Sequence, residues 1–172
     1  CESVLEALKL PFTLVPRSKA GDTLKTIDPR SVLVFDCNGD LETALKPPEA
    51  KALASFVERG GYLFTSDWGI AEEITPALPG FIAAGPEMPE EEFPVKIAPA
   101  RGAEKHAYLR DVFPENPYDR ARMKWMIDKQ AYAIKTTPKV MVLVESPELG
   151  AKYASPAVAV TFRFGQGAVL HV

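Results

Sequence analysis

Residues 60–69, GGYLFTSDWG, decide the fold. Tyr62 to Thr65 form an apolar run that stops abruptly at the polar turn Ser66–Asp67, and a helical stretch, IAEEI (residues 70–74), follows at once. A strand that turns sharply into a helix is the corner on which many α/β enzymes mount a nucleophile. Asp67 stands at the apex of this one, so the corner either carries chemistry or keeps only its shape.

Upstream, PPEAKALASFVERGG (residues 47–61) predicts the best helix in the chain. Two prolines and Glu49 suit its first turn, Ala50, Leu53, Ala54 and Val57 form an inner stripe, and Gly60–Gly61 stop it. Before that helix, SVLVFDCNGD (residues 31–40) holds an unbroken apolar run of the kind found in a parallel sheet covered on both faces. SVLEALKL (residues 3–10) reads as a helix with Ser3 as its cap, and FTLV (residues 12–15) as a short strand. Strand–helix–strand–helix order predicts a doubly wound α/β domain.

Beyond residue 95 the pattern turns β-rich. RMKWMID (residues 122–128) alternates Met123, Trp125 and Ile127 against charged positions, as in a half-buried strand. KVMVLVES reads as a buried strand, and AVAVTFRFGQGAVLHV (residues 157–172) as two strands joined at a tight hairpin turn, GQG.

The order of strand VLVFDCNG, helix PPEAKALASFVERGG, strand YLFTSDWG and late hairpin VAVTFRFGQGAVLHV resembles the class I glutamine amidotransferase-like superfamily. Within it, the chain is similar to divergent bacterial branches that lack the nucleophilic cysteine. The resemblance covers roughly residues 30–70 and 156–172. It implies a flavodoxin-like three-layer α/β sandwich, with a mostly parallel central sheet and a C-terminal β-hairpin. One such domain spans residues 1–172, either alone or as a segment of a longer chain. Active members place a cysteine at the corner in a G-x-C-x-G pattern, with a downstream histidine and acidic partner as base. Here Thr65 replaces the first glycine, Asp67 replaces the cysteine, and only Gly69 is kept. Glutamine hydrolysis by that mechanism is therefore not expected.

The candidate residues divide between bland and chemical roles. Asp67 or Ser66 caps the following helix, and that reading is favoured; Asp67 as a carboxylate nucleophile is the alternative. A third option is a polar ligand held by backbone N–H groups. Asp36, Asn38 and Asp40 alternate like calcium ligands, but Gly39 falls too early for the loop glycine and Pro47 occupies the twelfth position, so a turn is expected. His106 reads as a surface or capping residue opening a helix with Leu109, Val112 and Phe113. His171 lies near the end of the last strand, and Trp68 either covers the crevice or packs beneath the helix.

The whole chain narrows the classes further. At 172 residues, net charge −3 with both signs interspersed and no long apolar run, neither nucleic-acid binding nor a membrane span is expected. Cys1 and Cys37 are too few for a disulfide framework or cysteine zinc site, and no metal or cofactor is expected. Cys1 is read as a chain boundary rather than a lipid-modified terminus; compartment and oligomeric state stay open. The functional expectation is a non-catalytic binding or interaction domain for an unidentified small molecule or protein. Its crevice would be lined by Asp36, Asn38, Asp40, Ser66, Asp67 and Trp68. The alternatives are a hydrolase using Asp67 with His106 or His171, and a purely structural domain.

Overall fold

Strand β1 (Val32–Phe35) and strand β2 (Tyr62–Thr65) lie parallel, register Phe35 to Thr65, with helix α3 (Pro47–Glu58) crossing between them in sequence. The computed structural model that establishes this pairing describes residues 2–35 and 44–172. Helices α1 (Glu2–Ala7) and α2 (Ala20–Thr26) precede β1. The chain after β2 runs through a π-helical turn (Ile70–Ile74), α4 (Thr75–Ala77), β3 (Ile82–Glu87), β4 (Phe93–Lys96) and β5 (Ala98–Pro99). It continues with α5 (Pro117–Arg120), β6 (Lys124–Ile127), β7 (Tyr132–Thr136), β8 (Met141–Glu145) and α6 (Pro147–Tyr153), and then β9 (Ala157–Phe164) and β10 (Gly167–His171).

The main sheet has the order β1-β2-β10-β9-β8-β5. Only β1–β2 and β2–β10 are parallel; β10–β9, β9–β8 and β8–β5 are antiparallel. Two further two-stranded sheets pair β3 with β7 and β4 with β6. The expected mostly parallel, flavodoxin-like sheet is thus corrected to a mixed one. The reason is connection length: parallel neighbours need a crossover of roughly a dozen residues or more, usually with a helix, whereas short links return the chain antiparallel. The C-terminal hairpin shows the short case. Gly165 (φ +59) and Gln166 alone separate β9 from β10.

One face of the sheet packs Leu63, Val160, Phe162 and Val169 against Leu53, Phe56 and Val57 of α3 and Ile70, Ile74 and Leu78 beyond the corner. The β3–β7 ribbon adds Ile82 and Ile134 to that cluster. A second cluster gathers Leu143 and Ala159 with Val95 and Ile127 of the β4–β6 ribbon, Leu109 and Leu149. In α3, Phe56 joins the predicted stripe and Ala54 is only half-buried. Glu49 accepts the Lys46 N–H at 3.0 Å, closing the first turn.

Three local expectations change. Helix α1 begins at Glu2, ahead of Ser3, and buries none of its side chains. FTLV is not a strand: it lies between Pro11 and Pro16, and Leu14 is 61% exposed. A strand exists only where an edge accepts its hydrogen bonds, and among the described residues β1 pairs with β2 alone. In β6 only Ile127 is buried, while Trp125 and Met126, which alternate onto opposite faces of the two-stranded ribbon, are both exposed.

The hairpin turn locks onto the end of α3. Gln166 N–H donates to the Glu58 carbonyl at 2.9 Å, and a Cβ on Gly167 would collide with the carbonyl oxygens of Val57 and Gly61. Gly167→Ala is therefore expected to cost about 3 kcal/mol, since backbone on both sides must shift. Gly80→Ala, in open space at φ +86, should cost only about 1–2 kcal/mol. Urea midpoints of the two variants check the difference.

Candidate functional site at the strand–turn–helix corner

Strands β1, β2 and β10 all run the same way, and their carboxyl ends meet at Phe35, Thr65 and His171. That edge is where open α/β sheets bind ligands. The β2–β10 ladder runs on past both strands: Val172 N–H donates to Thr65 O at 3.1 Å, and Asp67 N–H donates to Val172 O at 2.9 Å. These bonds pin the corner. Asp67 is held there at φ +48, in left-handed space that a residue with a Cβ enters at a cost.

This is the backbone shape of a nucleophile elbow, and Gly69 shows why only glycine fits at its exit. A Cβ there would stand 2.9 Å from the Thr65 Cβ and 3.1 Å from Glu73 Oε2. The favoured capping role of Ser66 or Asp67 is not what the helix start displays. The N-cap is Gly69, which offers no side chain, and the first turns are closed by backbone bonds to the Ser66, Asp67 and Trp68 carbonyls. The helix itself opens as a π turn. Thr75 N–H reaches back five residues to Ile70 O, and the Thr75 hydroxyl donates to the same oxygen at 2.6 Å. Single π turns of this kind are frequent at functional sites.

That turn is buried on nearly every side, carrying Ile70, Glu72, Glu73 and Ile74 inward together. Arg17, from a short 3₁₀ turn before α2, places Nη1 3.4 Å from Glu73 Oε1 and its guanidinium 5.2 Å over the Phe35 ring. Burial pushes the Glu73 carboxyl up from 4.5 to about 8, against the pull of Arg17 and with the added push of Glu72. At neutral pH Glu73 is therefore largely a neutral acid that can donate a hydrogen bond.

His171 is fully buried, and its Nδ1 lies 2.8 Å from the Thr65 hydroxyl. Burial drops its pKa from 6.5 to about 3, so the ring is neutral across the physiological range. It faces the core side of the sheet with Val160 and Thr65. His106 is elsewhere: it caps the 3₁₀ turn Ala107–Leu109, its Nδ1 accepting the Tyr108 N–H at 3.2 Å. Trp68 is half-buried and meets Tyr132 of β7 edge to face, at 5.4 Å between centroids, so it packs beside the corner.

Asp36, Asn38 and Asp40, like Cys1 and Cys37, lie outside the described residues. Arg17, Glu72 and Glu73 are the corner residues that the sequence does not single out. The doublet Glu72–Glu73 inside IAEEI, flanked by isoleucines four apart, was the available signal, because a helix turn apolar on both sides drags its acids inward. Nothing local announces Arg17, which reaches the corner only through the fold. Among the described residues, no group of three or more His, Cys, Asp or Glu side chains is arranged to hold a metal ion. No described helix is long and apolar enough to cross a membrane.

Two predictions follow from this corner. The folded chain keeps the Glu73 proton that the unfolded chain releases, so stability falls as pH rises from 4.5 to about 8. Conversely, the unfolded chain takes up a proton on His171 that the folded chain refuses, so stability falls as pH drops from 6.5 towards 3. The two contributions oppose each other between pH 4.5 and 6.5, so denaturant midpoints from pH 3 to 9 should show a plateau there with a limb on either side, Glu73→Gln flattening the alkaline one and His171→Gln the acid one. Secondly, Asp67→Val should cost about 1–2 kcal/mol more than Asp67→Asn, because asparagine tolerates left-handed backbone and a β-branched residue does not. Calorimetric melting of the pair decides it.

No family model matches the chain, and no curated protein does. Solved structures do. A ThuA-like protein from Bacteroides uniformis superposes with TM-score 0.62 at 12% identity, over 99% of this chain and 70% of that one. An exo-β-1,4-mannosidase, Op5Man5, from Opitutaceae bacterium strain TAV5 gives 0.57 at 16% identity, over 98% of this chain and 24% of that one. A β-galactosidase from Bacillus circulans sp. alkalophilus gives 0.50 at 20% identity, over 82% and 19% respectively. The chain thus spans about a fifth to a quarter of the length of these glycosidases. ThuA-like proteins have a class I amidotransferase-like fold, so this likeness places the chain among α/β proteins sharing features of that fold, and at such identities it is a likeness of fold alone.

Proposed function

We propose that this chain is a non-catalytic binding or interaction domain, from a branch of the amidotransferase-like fold without the nucleophilic cysteine. The observation that carries the reading is the state of the corner. It retains the elbow backbone, with Asp67 at φ +48, but its main chain and its histidine are committed to structure. The Asp67 N–H is spent on Val172, and His171 is buried, neutral and engaged with Thr65. A base must reach the proton it abstracts, and a residue sealed in the core does not. His106 accepts the N–H of Tyr108 in its own turn.

Binding, by contrast, needs only a shaped polar edge. Ser66, Asp67 and Trp68 form part of one at the carboxyl ends of three parallel strands, where a small polar molecule or a protein segment would dock. The structural neighbours in which a domain of this shape is a fifth to a quarter of a longer glycosidase are consistent with an accessory module. The competing reading, a hydrolase using Asp67, draws on the strained backbone, since such strain concentrates at functional sites.

Purified protein incubated with glutamine should release no ammonia above an enzyme-free control, and a panel of ester, amide and glycoside substrates should give no turnover. Turnover that disappears in Asp67→Asn while stability holds would put the hydrolase in first place.

A further inference from the structure

The edge opposite the corner carries a cleft. Tyr62, Ala168 and Arg163 occupy one register row across β2, β10 and β9, so their side chains share one face of the sheet. Ala168, the smallest, lies between the tyrosine ring and the guanidinium and leaves a trough. Tyr62 is 48% exposed above that trough. Lys139 stands in the turn entering β8, where Met141 pairs with Thr161, two residues before Arg163 on β9. His106 and Tyr108 overhang the trough from the 3₁₀ turn, their rings 4.9 Å apart. Together these residues line a cleft of about 640 Å³, within the size range of small-molecule sites.

The chemistry of the lining is one-sided. Lys139 and Arg163 are cations, and among the described residues no carboxylate lines the cleft, although the chain as a whole is acidic. The Tyr62, Tyr108 and Gln166 side chains all offer donors. His106 uses Nδ1 as an acceptor, which leaves the proton of a neutral ring on Nε2. Burial, and then the nearby Tyr62 phenol, raise the Tyr108 pKa, which keeps that hydroxyl a donor. The walls are aromatic faces, Tyr62 and Tyr108, with Phe81 at one end beneath the Lys139 ammonium at 5.5 Å.

We propose that this cleft binds a ring-bearing small anion, a phosphorylated or carboxylated sugar, with the ring against the tyrosines and the anionic group between Lys139 and Arg163. The aromatic walls take the apolar face of the ring, and arginine matches the paired oxygens of either anion. A sugar suits the site better than an aromatic acid, because its hydroxyls satisfy the phenol, amide and imidazole donors that a bare ring would leave unpaired. The site is independent of the corner and does not rest on its function.

Calorimetric titration with glucose 6-phosphate and with glucuronate tests it, with glucose and inorganic phosphate as controls. One or both charged sugars should bind at least tenfold more tightly than either control, and which of them binds separates phosphate from carboxylate recognition. Arg163→Gln and Lys139→Gln, both at exposed positions, should each weaken binding tenfold or more, and Asp67→Asn should leave it unchanged. Backbone amide shifts should move around Tyr62, Tyr108 and Ala168. The proposal is overturned if neither charged sugar binds, if glucose or phosphate binds as well, if the Arg163 and Lys139 variants bind normally, or if the shifts map to residues 66–68.

Discussion

Strand β10 is the constraint on which the rest of the molecule depends. It pairs in parallel with β2 on one side and antiparallel with β9 on the other, so it joins the two halves of a mixed sheet. Its backbone groups are consumed on both edges, and its entry at Gly167 admits no side chain because α3 and Gly61 press against it. The far end of the same strand builds the corner. His171 lies beside Thr65, and Val172 exchanges hydrogen bonds with Thr65 and Asp67. Core packing and the geometry of the candidate site are therefore one structure: what holds the sheet together also holds Asp67 in left-handed space.

The corner is costly by the ordinary standards of a core. Two glutamates and a histidine are buried there, and burial, the largest cause at each, pushes the Glu73 and His171 pKa values in opposite directions, both towards the neutral form. Arg17 compensates in part, from a segment far away in sequence. Neutralising the groups by protonation or deprotonation is cheaper than burying their charges, which is why stability is expected to fall on both sides of a mildly acidic plateau. The donor-rich cleft at the opposite edge places cations and aromatic faces on a surface that the corner does not touch.

Elements with strong local signals were legible from residue order. The α3 helix, its glycine stop, strands β1 and β2, and the glycine-centred hairpin turn all follow from apolar spacing and turn chemistry. The cap at His106 belongs to the same class, because the side chain bonds to a backbone two residues away. FTLV and α1 carried equally clear local patterns, yet one forms no strand and the other buries nothing. Apolar periodicity states what a segment could bury, and a partner surface decides whether it does. The parallel reading of the sheet failed for a related reason. Residues 31–65 read correctly as a parallel unit, but strand direction beyond them depends on connection length and pairing, which apolar runs do not encode.

By itself the sequence determined an α/β chain with a strand–turn–helix corner and an aspartate where a cysteine would be needed for glutamine chemistry. It did so because these features are short-range: side-chain identity, spacing and glycine placement. Only the tertiary structure decided that β10 lies between β2 and β9, that His171 meets Thr65 106 positions away in the chain rather than Asp67, and that Arg17 reaches Glu73. Those contacts bring together groups far apart along the chain, and their protonation states come from the burial that follows.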